Sequence, residues 1–521
     1  MRTKYRQRRV VLAIALALLG IFVPYLIAWR ISPDGTVFNG FLTNPLDGFT
    51  YLAKMRQGFD GNWLFQLPYT ADPGEGSLLF LFYLALGHLS RLIHVPLILT
   101  YHAARVGFSL VFFIVLWLFF ERVFKDRRLR FYAFLLSLFG SGLGWAALLV
   151  LGRETIDFWV PEAFPLLSAY ANPHFPLALS AFIGAILLTY LRGRRAWWHW
   201  PLAFLCGSTI GLVLPFITIP LFLVLGIWVL WELLQKRGWT EAGWFGRGPL
   251  TLVVLFIGAF PWLAYDYWLS ITHPIISAWN AQNLTPSPAL LDTILGFGLV
   301  FAFALISLFW RPWKSGRGCR LLVTWFVLGF VLLYAPLPFQ RRMSVALYVP
   351  MAGLTVWWLG ELAQSEQQFR RRFIPIFLFS LPTILLVMIA GLSGVATGED
   401  MVLFTKAERE AYAWIKTNIP PGALILADPL HGNRLPAFAP VRVLYGHPFE
   451  TPDAEFWEGE VESLLSWDGP PDEGLQRLKK LGVEYVLIES GDAESSIPSW
   501  YYNLDRLASF DDLEILRDKE Q

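Results

Sequence analysis

Residues 44–56 read NPLDGFTYLAKMR and follow closely on the first long hydrophobic segment of the chain. After Asp47, the residues Tyr51, Met55 and Phe59 recur every four positions, which predicts a helix with an apolar stripe lying on a membrane surface. Two interpretations of Asp47 are open. Its carboxylate either caps free N–H groups at the start of that helix, or acts as a general base or electrostatic anchor for a group arriving from outside.

The composition indicates a polytopic membrane protein. Of the 521 residues, 55% are hydrophobic and only 16% are charged, and the mean hydropathy is +0.49. A soluble core does not need so many apolar runs of membrane-spanning length.

The sequence shows no nucleic-acid-binding motif, so no nucleic-acid partner is expected. The two cysteines, Cys206 and Cys319, lie in or beside hydrophobic segments and predict neither a disulfide framework nor a zinc site.

Charge is distributed unevenly along the chain. Residues 395–521 hold 24 of the 40 acidic and 11 of the 42 basic residues, a net charge of −13, which leaves +15 for residues 1–394. We therefore expect a transmembrane domain over 1–394 and a soluble acidic domain over 395–521. In the tail, the capping box Thr405–Glu408 predicts a helix through Asn418, and short apolar runs alternating with helical stretches predict a small α/β domain.

Hydrophobic segments predict about eleven membrane crossings. The first is too long for a signal-peptide core and follows a basic N-terminus, so we interpret it as an uncleaved anchor with a cytoplasmic N-terminus. The predicted crossings are 10–29, 96–120, 130–151, 175–191, 200–215, 217–235, 249–269, 289–310, 320–335, 343–363 and 373–394.

Five basic clusters between these segments fix the predicted orientation. They centre on Arg127, Arg194, Arg237, Arg317 and Arg371, and the excess of Lys and Arg in cytoplasmic loops places all five in the cytoplasm. Counting 77–93 as a crossing would put every cluster outside, so we interpret that segment as a helix in the outer interface. Loops 30–95, 152–174 and 336–342 and the tail then face outward from a plasma (inner) membrane.

The chain resembles a known group of enzymes in this outer region. The pattern Asp-x-x-x-Tyr-x-x-x-Met at 47–55, the interfacial helix, and a crossing that opens with Ala103-Ala104-Arg105 resemble the GT-C superfamily over roughly residues 10–365. Its members are integral-membrane glycosyltransferases, such as protein O-mannosyltransferases, aminoarabinose transferases and rhizobial lipopolysaccharide sugar transferases. The resemblance implies transfer of a hexosyl or pentosyl group from a polyprenyl-phosphate donor to a lipid, glycan or protein acceptor outside the membrane.

The resemblance implies that Asp47 is the catalytic or metal-associated acid of the first outer loop. The family acid is usually followed by Glu, where this chain has Gly48. The resemblance leaves a divalent metal possible, but Gly48 does not support a metal site at Asp47. We therefore predict no metal ligands.

Arginines are the predicted ligands of the donor phosphate. Arg341 and Arg342 stand on an outward-facing turn where cations are normally scarce, and paired arginines can clamp a phosphate. The alternative is that they extend towards anionic lipid headgroups. Arg105 is a second candidate, for which a structural ion pair within the membrane is the alternative.

The second outer loop and three aromatic residues complete the predicted site. His174 and Glu162 are candidates for proton transfer or phosphate contact, with a helix-entry residue as the alternative for His174. Tyr51, Trp63 and Tyr69 are the candidates for sugar contact. We expect Asp47, His174 and the two arginines to converge on one outward cavity. The His–Asp combinations at 428–434 and 445–448 show no catalytic motif, which favours loops packed onto the membrane body.

Two other functions are left open by the sequence. A non-catalytic GT-C-like scaffold would present the acidic tail to a partner, and the residue departures at Gly48 and His174 are compatible with it. A lipid or solute transporter is the other alternative. Transporters usually show inverted repeats and mid-membrane charges, and the sequence shows no repeat.

Overall fold

The computed structural model describes residues 2–191, 196–235, 247–490 and 497–519. Five residues of the predicted cytoplasmic clusters lie outside these ranges: Arg192, Arg194, Arg195, Lys236 and Arg237. Within the described ranges the chain forms twenty-two α-helices and seven strands.

The helices, in chain order, are α1 Arg2–Ile31, α2 Pro45–Asp60, α3 Leu81–Ile93, α4 Leu97–Val123, α5 Arg127–Phe139, α6 Gly144–Leu151, α7 Ile156–Trp159, α8 Pro165–Ala171, α9 His174–Tyr190, α10 His199–Val213, α11 Thr218–Gln235, α12 Arg247–Thr272, α13 Pro274–Gln282, α14 Leu290–Ser307, α15 Arg317–Leu333, α16 Tyr348–Leu362, α17 Glu366–Phe379, α18 Pro382–Thr397, α19 Lys406–Asn418, α20 Pro429–Phe438, α21 Ala454–Leu465 and α22 Pro471–Leu481. The strands are β1 Thr36–Phe38, β2 Leu403–Thr405, β3 Leu424–Leu426, β4 Arg442–Val443, β5 Tyr485–Glu489, β6 Leu504–Phe510 and β7 Leu513–Asp518.

Helices coincide with all eleven predicted crossings. Among the described residues, seven helical segments are long and apolar enough to cross a membrane, and the bent pair α5–α6 makes an eighth. The apolar helices α9 and α10 are shorter, at 17 and 15 residues. The polytopic helical fold is therefore confirmed, and the number of crossings stays a prediction.

Helix α3 is shorter than the hydrocarbon core of a membrane is thick. Its 13 residues extend about 20 Å, whereas the hydrocarbon core of a bilayer is about 30 Å thick. This length agrees with the prediction that segment 77–93 is not a crossing. The position of α3 in the outer interface stays a prediction.

The chain divides into two compact units. Unit 1 comprises Met1–Pro24, His102–Tyr265 and Thr285–Ala390, and unit 2 comprises Tyr25–Tyr101, Asp266–Leu284 and Gly391–Gln521. Unit 2 thus groups the tail with the segment that contains α2 and α3. The predicted domains 1–394 and 395–521 follow a different, sequential division, and that division stays a prediction.

The tail within unit 2 forms a five-stranded sheet, in the order β4-β3-β5-β7-β6. Strand β3 pairs in parallel with β4 and β5, and β7 is antiparallel to β5 and β6. Helices α20 to α22 connect the parallel strands, as expected for crossovers between them. The small C-terminal α/β region predicted from the sequence is therefore confirmed.

The start of helix α19 is also confirmed. Thr405 Oγ1 accepts a hydrogen bond from Glu408 N (3.1 Å), and Glu408 Oε2 accepts one from Thr405 N (2.6 Å), which together form the predicted capping box. Residues 429–434 differ from their predicted loop conformation. They form the first part of α20 because the Asp428 carboxylate caps the free N–H groups of Leu430 and His431.

Two glycines allow α2 and α3 to pack with their backbones in contact. A Cβ atom at Gly58 of α2 would lie 2.1 Å from the carbonyl oxygen of Leu84, and one at Gly87 of α3 would lie 1.9 Å from that of Met55. Real Cβ atoms do not approach backbone this closely, so larger residues at either position would force the helices apart. This close packing fixes the helix on which Asp47 lies.

In unit 1, the bend between α5 and α6 is held by a carboxylate. The helices are inclined by 42° across the break. Asp157 Oδ2 accepts hydrogen bonds from Gly142 N (3.0 Å) and Gly144 N (3.2 Å) within that break. The predicted second outer loop is therefore ordered, with α7, a 3₁₀ turn at Pro161–Ala163 and α8 in succession.

Candidate active site

Asp47 lies in the first turn of α2, beside the residue that caps the helix. Asn44 is the N-cap, with a φ of 43° that asparagine tolerates better than most residues, and its side chain accepts from Asp47 N (3.4 Å). Its Nδ2 group donates to Asp47 Oδ2 at 2.6 Å. Asn44 thus caps the helix and also orients the Asp47 carboxylate.

His447 of the tail binds the other oxygen of the same carboxylate. Its Nε2 lies 3.1 Å from Asp47 Oδ1, and its Nδ1 lies 3.0 Å from Phe449 N. Because the backbone N–H can only donate, Nδ1 is the acceptor, and the proton of the neutral imidazole is on Nε2, where it donates to Asp47. The His447 side chain is 3% exposed and that of Asp47 is 35% exposed. The carboxylate is therefore oriented by two donors and still accessible to solvent.

The loop that carries His447 is fixed by its own hydrogen bonds. Thr451 Oγ1 accepts from the backbone N–H groups of Gly446 (3.3 Å) and His447 (3.2 Å). A Cβ atom at position 446 would lie 2.4 Å from the ring of Tyr69, which explains the glycine there. The indole of Trp279 on α13 donates to Phe449 O at 2.5 Å. The imidazole is therefore held rigidly towards Asp47.

A buried ion pair lies two helical turns beyond Asp47. Lys54 Nζ is 2.6 Å from Glu450 Oε1, and the side chains are 1% and 13% exposed. The ammonium group also lies 4.1 Å from the ring centroid of Phe80. Residues seven apart lie on the same helix face, so α2 presents Asp47 and Lys54 to His447 and Glu450, which are three residues apart in the tail. Removing one partner of such a pair typically costs about 3–5 kcal/mol.

Helix α20 also contacts the start of α2, and it begins with a charged pair. Asn433 Nδ2 donates to Leu46 O at 3.3 Å. His431 Nδ1 lies 2.5 Å from Asp428 Oδ2. Burial alone would lower the pKa of His431, but its hydrogen bond with the Asp428 carboxylate and the charge there outweigh burial, and the pKa is raised. Burial likewise opposes the charged form of Asp428, yet its hydrogen bond with His431 lowers the pKa of that carboxyl group.

The three aromatic candidates have different surroundings. Tyr51 stacks on Tyr83, with ring centroids 4.6 Å apart. The side chain of Trp63 is 53% exposed and stacks on His88 at 4.0 Å. Tyr69 is 1% exposed, and its hydroxyl group donates to Asn433 O (3.1 Å), contacts typical of a packing residue. Sugar contact stays a prediction for all three, and exposure favours Trp63.

Glu162 and Arg342, both in unit 1, form an ion pair. Arg342 Nη1 lies 3.2 Å from Glu162 Oε1, and the side chains are 27% and 3% exposed. Ala346 N donates to Glu162 O (2.8 Å), which joins the same turns through their backbones. Arg341 differs from its neighbour, since its guanidinium group lies over the ring of Trp159, 5.1 Å from the centroid.

Arg105 is fully buried in unit 1. Its Nη1 donates to the carbonyl oxygens of Ala169 and Tyr170 (both 3.1 Å), and its Nε donates to His102 Nδ1 (3.2 Å). The two carbonyls belong to the last turn of α8, so these contacts cap that helix. A phosphate contact by Arg105 stays a prediction, and the described contacts favour a structural role.

His174 is the first residue of α9, 7% exposed, with its ring against Phe175. His174 belongs to unit 1, as do Glu162 and the three candidate arginines, Arg105, Arg341 and Arg342. Asp47 belongs to unit 2. The convergence of these residues on one cavity therefore stays a prediction. In the parts of the chain that the structure describes, no group of three or more His, Cys, Asp or Glu residues could hold a metal ion.

Sequence reasoning missed His447 and Glu450. His447 lies in the segment 445–448 that we predicted to be a packing loop, Glu450 lies two residues beyond that segment, and His447 is 400 residues from Asp47 along the chain. The local signal was a histidine flanked by glycine and proline, which fixes a turn and gives no information on the partner of its side chain.

No protein-family model and no curated protein matches the sequence. Solved structures do match. The Archaeoglobus fulgidus oligosaccharyltransferase tethered with an acceptor peptide has a TM-score of 0.54 at 14% identity, over 94% of this chain and 70% of that one. ArnT from Cupriavidus metallidurans bound to undecaprenyl phosphate has a TM-score of 0.51 at 15% identity, over 97% of each chain.

The arabinofuranosyltransferase AftD from Mycobacteria is also similar, with a TM-score of 0.52 at 14% identity over 98% of this chain and 40% of that one. All three are membrane glycosyltransferases of the GT-C superfamily. At these identities the similarity is one of fold. The chain therefore has the fold of the GT-C membrane glycosyltransferases, as the pattern beginning at Asp47 predicted.

Proposed function

We propose that the protein is a membrane glycosyltransferase that moves a sugar from a polyprenyl-phosphate-linked donor to an extracytoplasmic acceptor. The shared fold supports this proposal, since similar structures include one bound to undecaprenyl phosphate and one tethered with an acceptor peptide. The observation that carries it is the Asp47 carboxylate, which is held by Asn44 and His447 and is still 35% exposed. A side chain that only capped a helix would not need two further side chains to orient it.

Asp47 is assigned the role of acceptor base or anchor. Both donors at Asp47 hydrogen-bond best to an ionised carboxylate, the form that accepts a proton. The acceptor oxygen forms a bond to the anomeric carbon of the sugar as the bond from that carbon to the phosphate oxygen breaks. The electron pair leaves with the polyprenyl phosphate, and the acceptor proton passes to Asp47. Attack opposite the leaving phosphate inverts the anomeric carbon.

We assign binding of the donor phosphate to Arg341, because guanidinium groups bind phosphate oxygens through paired N–H donors. Arg342 is already in an ion pair with Glu162, so we assign these two residues mainly to holding the turn that presents Arg341. His174 is retained as a candidate for contact with the phosphate or the acceptor.

Replacing Asp47→Asn tests the proposal directly. The purified variant should lose about 100-fold or more of the transfer rate from a polyprenyl-phosphate sugar, the size expected for loss of a general base. Asp60→Asn is the matched control, because Asp60 ends the same helix and pairs with Arg56 (3.1 Å). Unchanged products from a normally folded Asp47→Asn protein would contradict the assignment. Substrate flux in proteoliposomes without a covalent product would instead indicate a transporter.

A further inference from the structure

Unit 1 contains a large groove that the proposed transfer reaction does not use. Its volume is about 1320 Å³, larger than most small-molecule sites. Four helices line it, namely α1, α4, α5 and α17. It lies at the end of these helices that carries the basic residues predicted to be cytoplasmic, whereas Asp47 belongs to unit 2.

The polar part of the groove is strongly basic. It is lined by five arginines and two glutamates, a formal charge of +3: Arg9, Arg127, Arg128, Arg130, Arg370, Glu121 and Glu366. Glu366 is shared between two of the arginines, since its Oε1 lies 2.9 Å from Arg370 Nε and its Oε2 lies 3.9 Å from Arg128 Nε. Arg128 Nη2 also lies 3.3 Å from Asp126 Oδ2, so Glu366 and Asp126 together offset Arg128 and Arg370. Arg9, Arg127 and Arg130 then stand against Glu121, which leaves a formal charge of +2.

Two main-chain carbonyl oxygens hold the Arg130 side chain in place. Its Nε donates to Phe124 O (2.8 Å) and its Nη2 donates to Lys125 O (3.3 Å). Main-chain carbonyls fix the direction of the side chain but carry no net charge. Fixed guanidinium groups are suited to binding an anion, because little rotamer entropy is lost when the anion binds.

Apolar residues line the groove next to its charged residues, in the same order on three helices. On α1, Val11 and Ile14 follow Arg9. On α5, Phe131 follows Arg127 by one turn, and on α4, Trp117 precedes Glu121 by one turn. Each helix therefore presents a charged residue towards the basic end of the groove and an apolar residue about 3–8 Å further along the helix. Val11 is 65% exposed, so the apolar layer is open to an occupant.

We propose that this groove binds an anionic phospholipid of the leaflet that faces the basic ends of these helices. The phosphate group lies against the arginine layer, and the acyl chains lie against the apolar layer. Basic pockets between membrane helices bind lipid headgroups in this way. A soluble polyanion would match the charge alone and would leave the exposed apolar layer uncovered, which is why a lipid fits better.

The test measures which lipids the purified full-length protein retains. Protein is reconstituted with equal amounts of phosphatidylglycerol and phosphatidylcholine, re-extracted in mild detergent, and its bound lipid is quantified by native mass spectrometry. The double variant Arg127→Gln with Arg370→Gln removes two arginines from the groove. The matched control is Arg122→Gln with Arg371→Gln, which removes two exposed arginines of α4 and α17 that do not line it.

We expect wild-type protein to retain phosphatidylglycerol in preference to phosphatidylcholine. Retention should fall about fivefold for each groove arginine lost, the factor expected of one basic residue near an anionic surface, and should not change in the control. Equal retention by the two double variants, or equal retention of the two lipids, would overturn the proposal. A further arm measures thermal stabilisation, and if inorganic phosphate stabilises the protein as much as dioctanoyl phosphatidylglycerol does, the site binds free phosphate instead.

Discussion

His447 is the residue on which the direction of the Asp47 carboxylate most depends. Its tautomer is fixed by Phe449 N, so its Nε2–H group can only donate to Asp47 Oδ1. A hydrogen bond to a charged group contributes about 1.5–3 kcal/mol. If that energy holds the acid in its reactive position, its loss corresponds to about a 10- to 100-fold change in rate.

We therefore expect His447→Leu to lower the transfer rate by about 10- to 100-fold. His447→Gln should restore most of it, because the amide of glutamine can place an N–H donor close to the position of Nε2. The pH dependence of transfer by the Gln variant should match that of the wild type, since a positioning residue exchanges no proton with substrate. Equal losses in both variants, with folding intact, would mean that His447 does more than position Asp47.

The residues that orient Asp47 differ in how far the sequence could reveal them. Asn44 precedes a proline and stands three residues before Asp47, so a capped helix start is readable from local pattern. His447 has no such signal, because pairing between residues 400 positions apart depends on the tertiary fold. The pair Glu162–Arg342 shows the same limit, since the sequence identified both residues as candidates but not their pairing. Neither member of the pair Lys54–Glu450 was identified from the sequence.

Helix α20 contacts α19 of the tail through Arg434 and the start of α2 through Asn433, and its first turn contains the titratable group of His431. The charged groups around His431 are Asp428 at the N-cap, Glu408 of α19 and Glu489 of β5, while Arg434 also pairs with Glu408. The raised pKa of His431 means that its contribution to stability is complete below its ordinary pKa of 6.5 and is lost as pH rises through the raised value. The pKa of Asp428 is lowered, so the contribution of this carboxylate to stability is complete above its ordinary pKa of 3.8 and is lost as the pH falls through the lowered value.

We therefore expect α20 to become less stable as the pH is raised from about 6 to about 9, because His431 loses its proton in that direction. Hydrogen–deuterium exchange of residues 429–438, corrected for the intrinsic effect of pH on exchange, should show more opening at the higher pH. His431→Gln should remove most of this dependence. If the wild-type helix is equally protected at both pH values, the His431–Asp428 pair does not contribute to its stability.

Elements whose signals are local were predictable, and those fixed by distant contacts were not. The capping box of α19 is read directly from Thr405 and Glu408. In contrast, α20 contains Gly432 and Pro436, which have low intrinsic helix propensity, yet Asp428 caps the helix and Asn433 and Arg434 anchor it through hydrogen bonds. Tertiary contacts here outweigh intrinsic propensity.

At the scale of the whole molecule, hydrophobic length predicted where the helices lie but not how the chain divides into units. Each crossing is a run of apolar residues that can be recognised one window at a time. Unit 2 instead joins three separate stretches, and one connection among them is the antiparallel pair of β1 and β2, in which Thr36 lies opposite Thr405. Strands of three residues separated by more than 360 positions leave no periodic signal in the sequence.

The orientation of the whole chain is testable with single introduced cysteines, because its two native cysteines, Cys206 and Cys319, are both buried. The eleven predicted crossings, an odd number, would put the two ends of the chain on opposite sides of the membrane. A membrane-impermeant maleimide should therefore label Lys406→Cys, an exposed position of α19, in right-side-out vesicles. It should label Arg122→Cys, an exposed position at the end of α4, only after permeabilisation. If α3 crossed the membrane as well, the crossings would number twelve, so Arg122→Cys would be labelled from outside and Lys406→Cys only after permeabilisation. That result would put the basic clusters between α4 and α17 outside and would contradict the position that we propose for the lipid groove of unit 1.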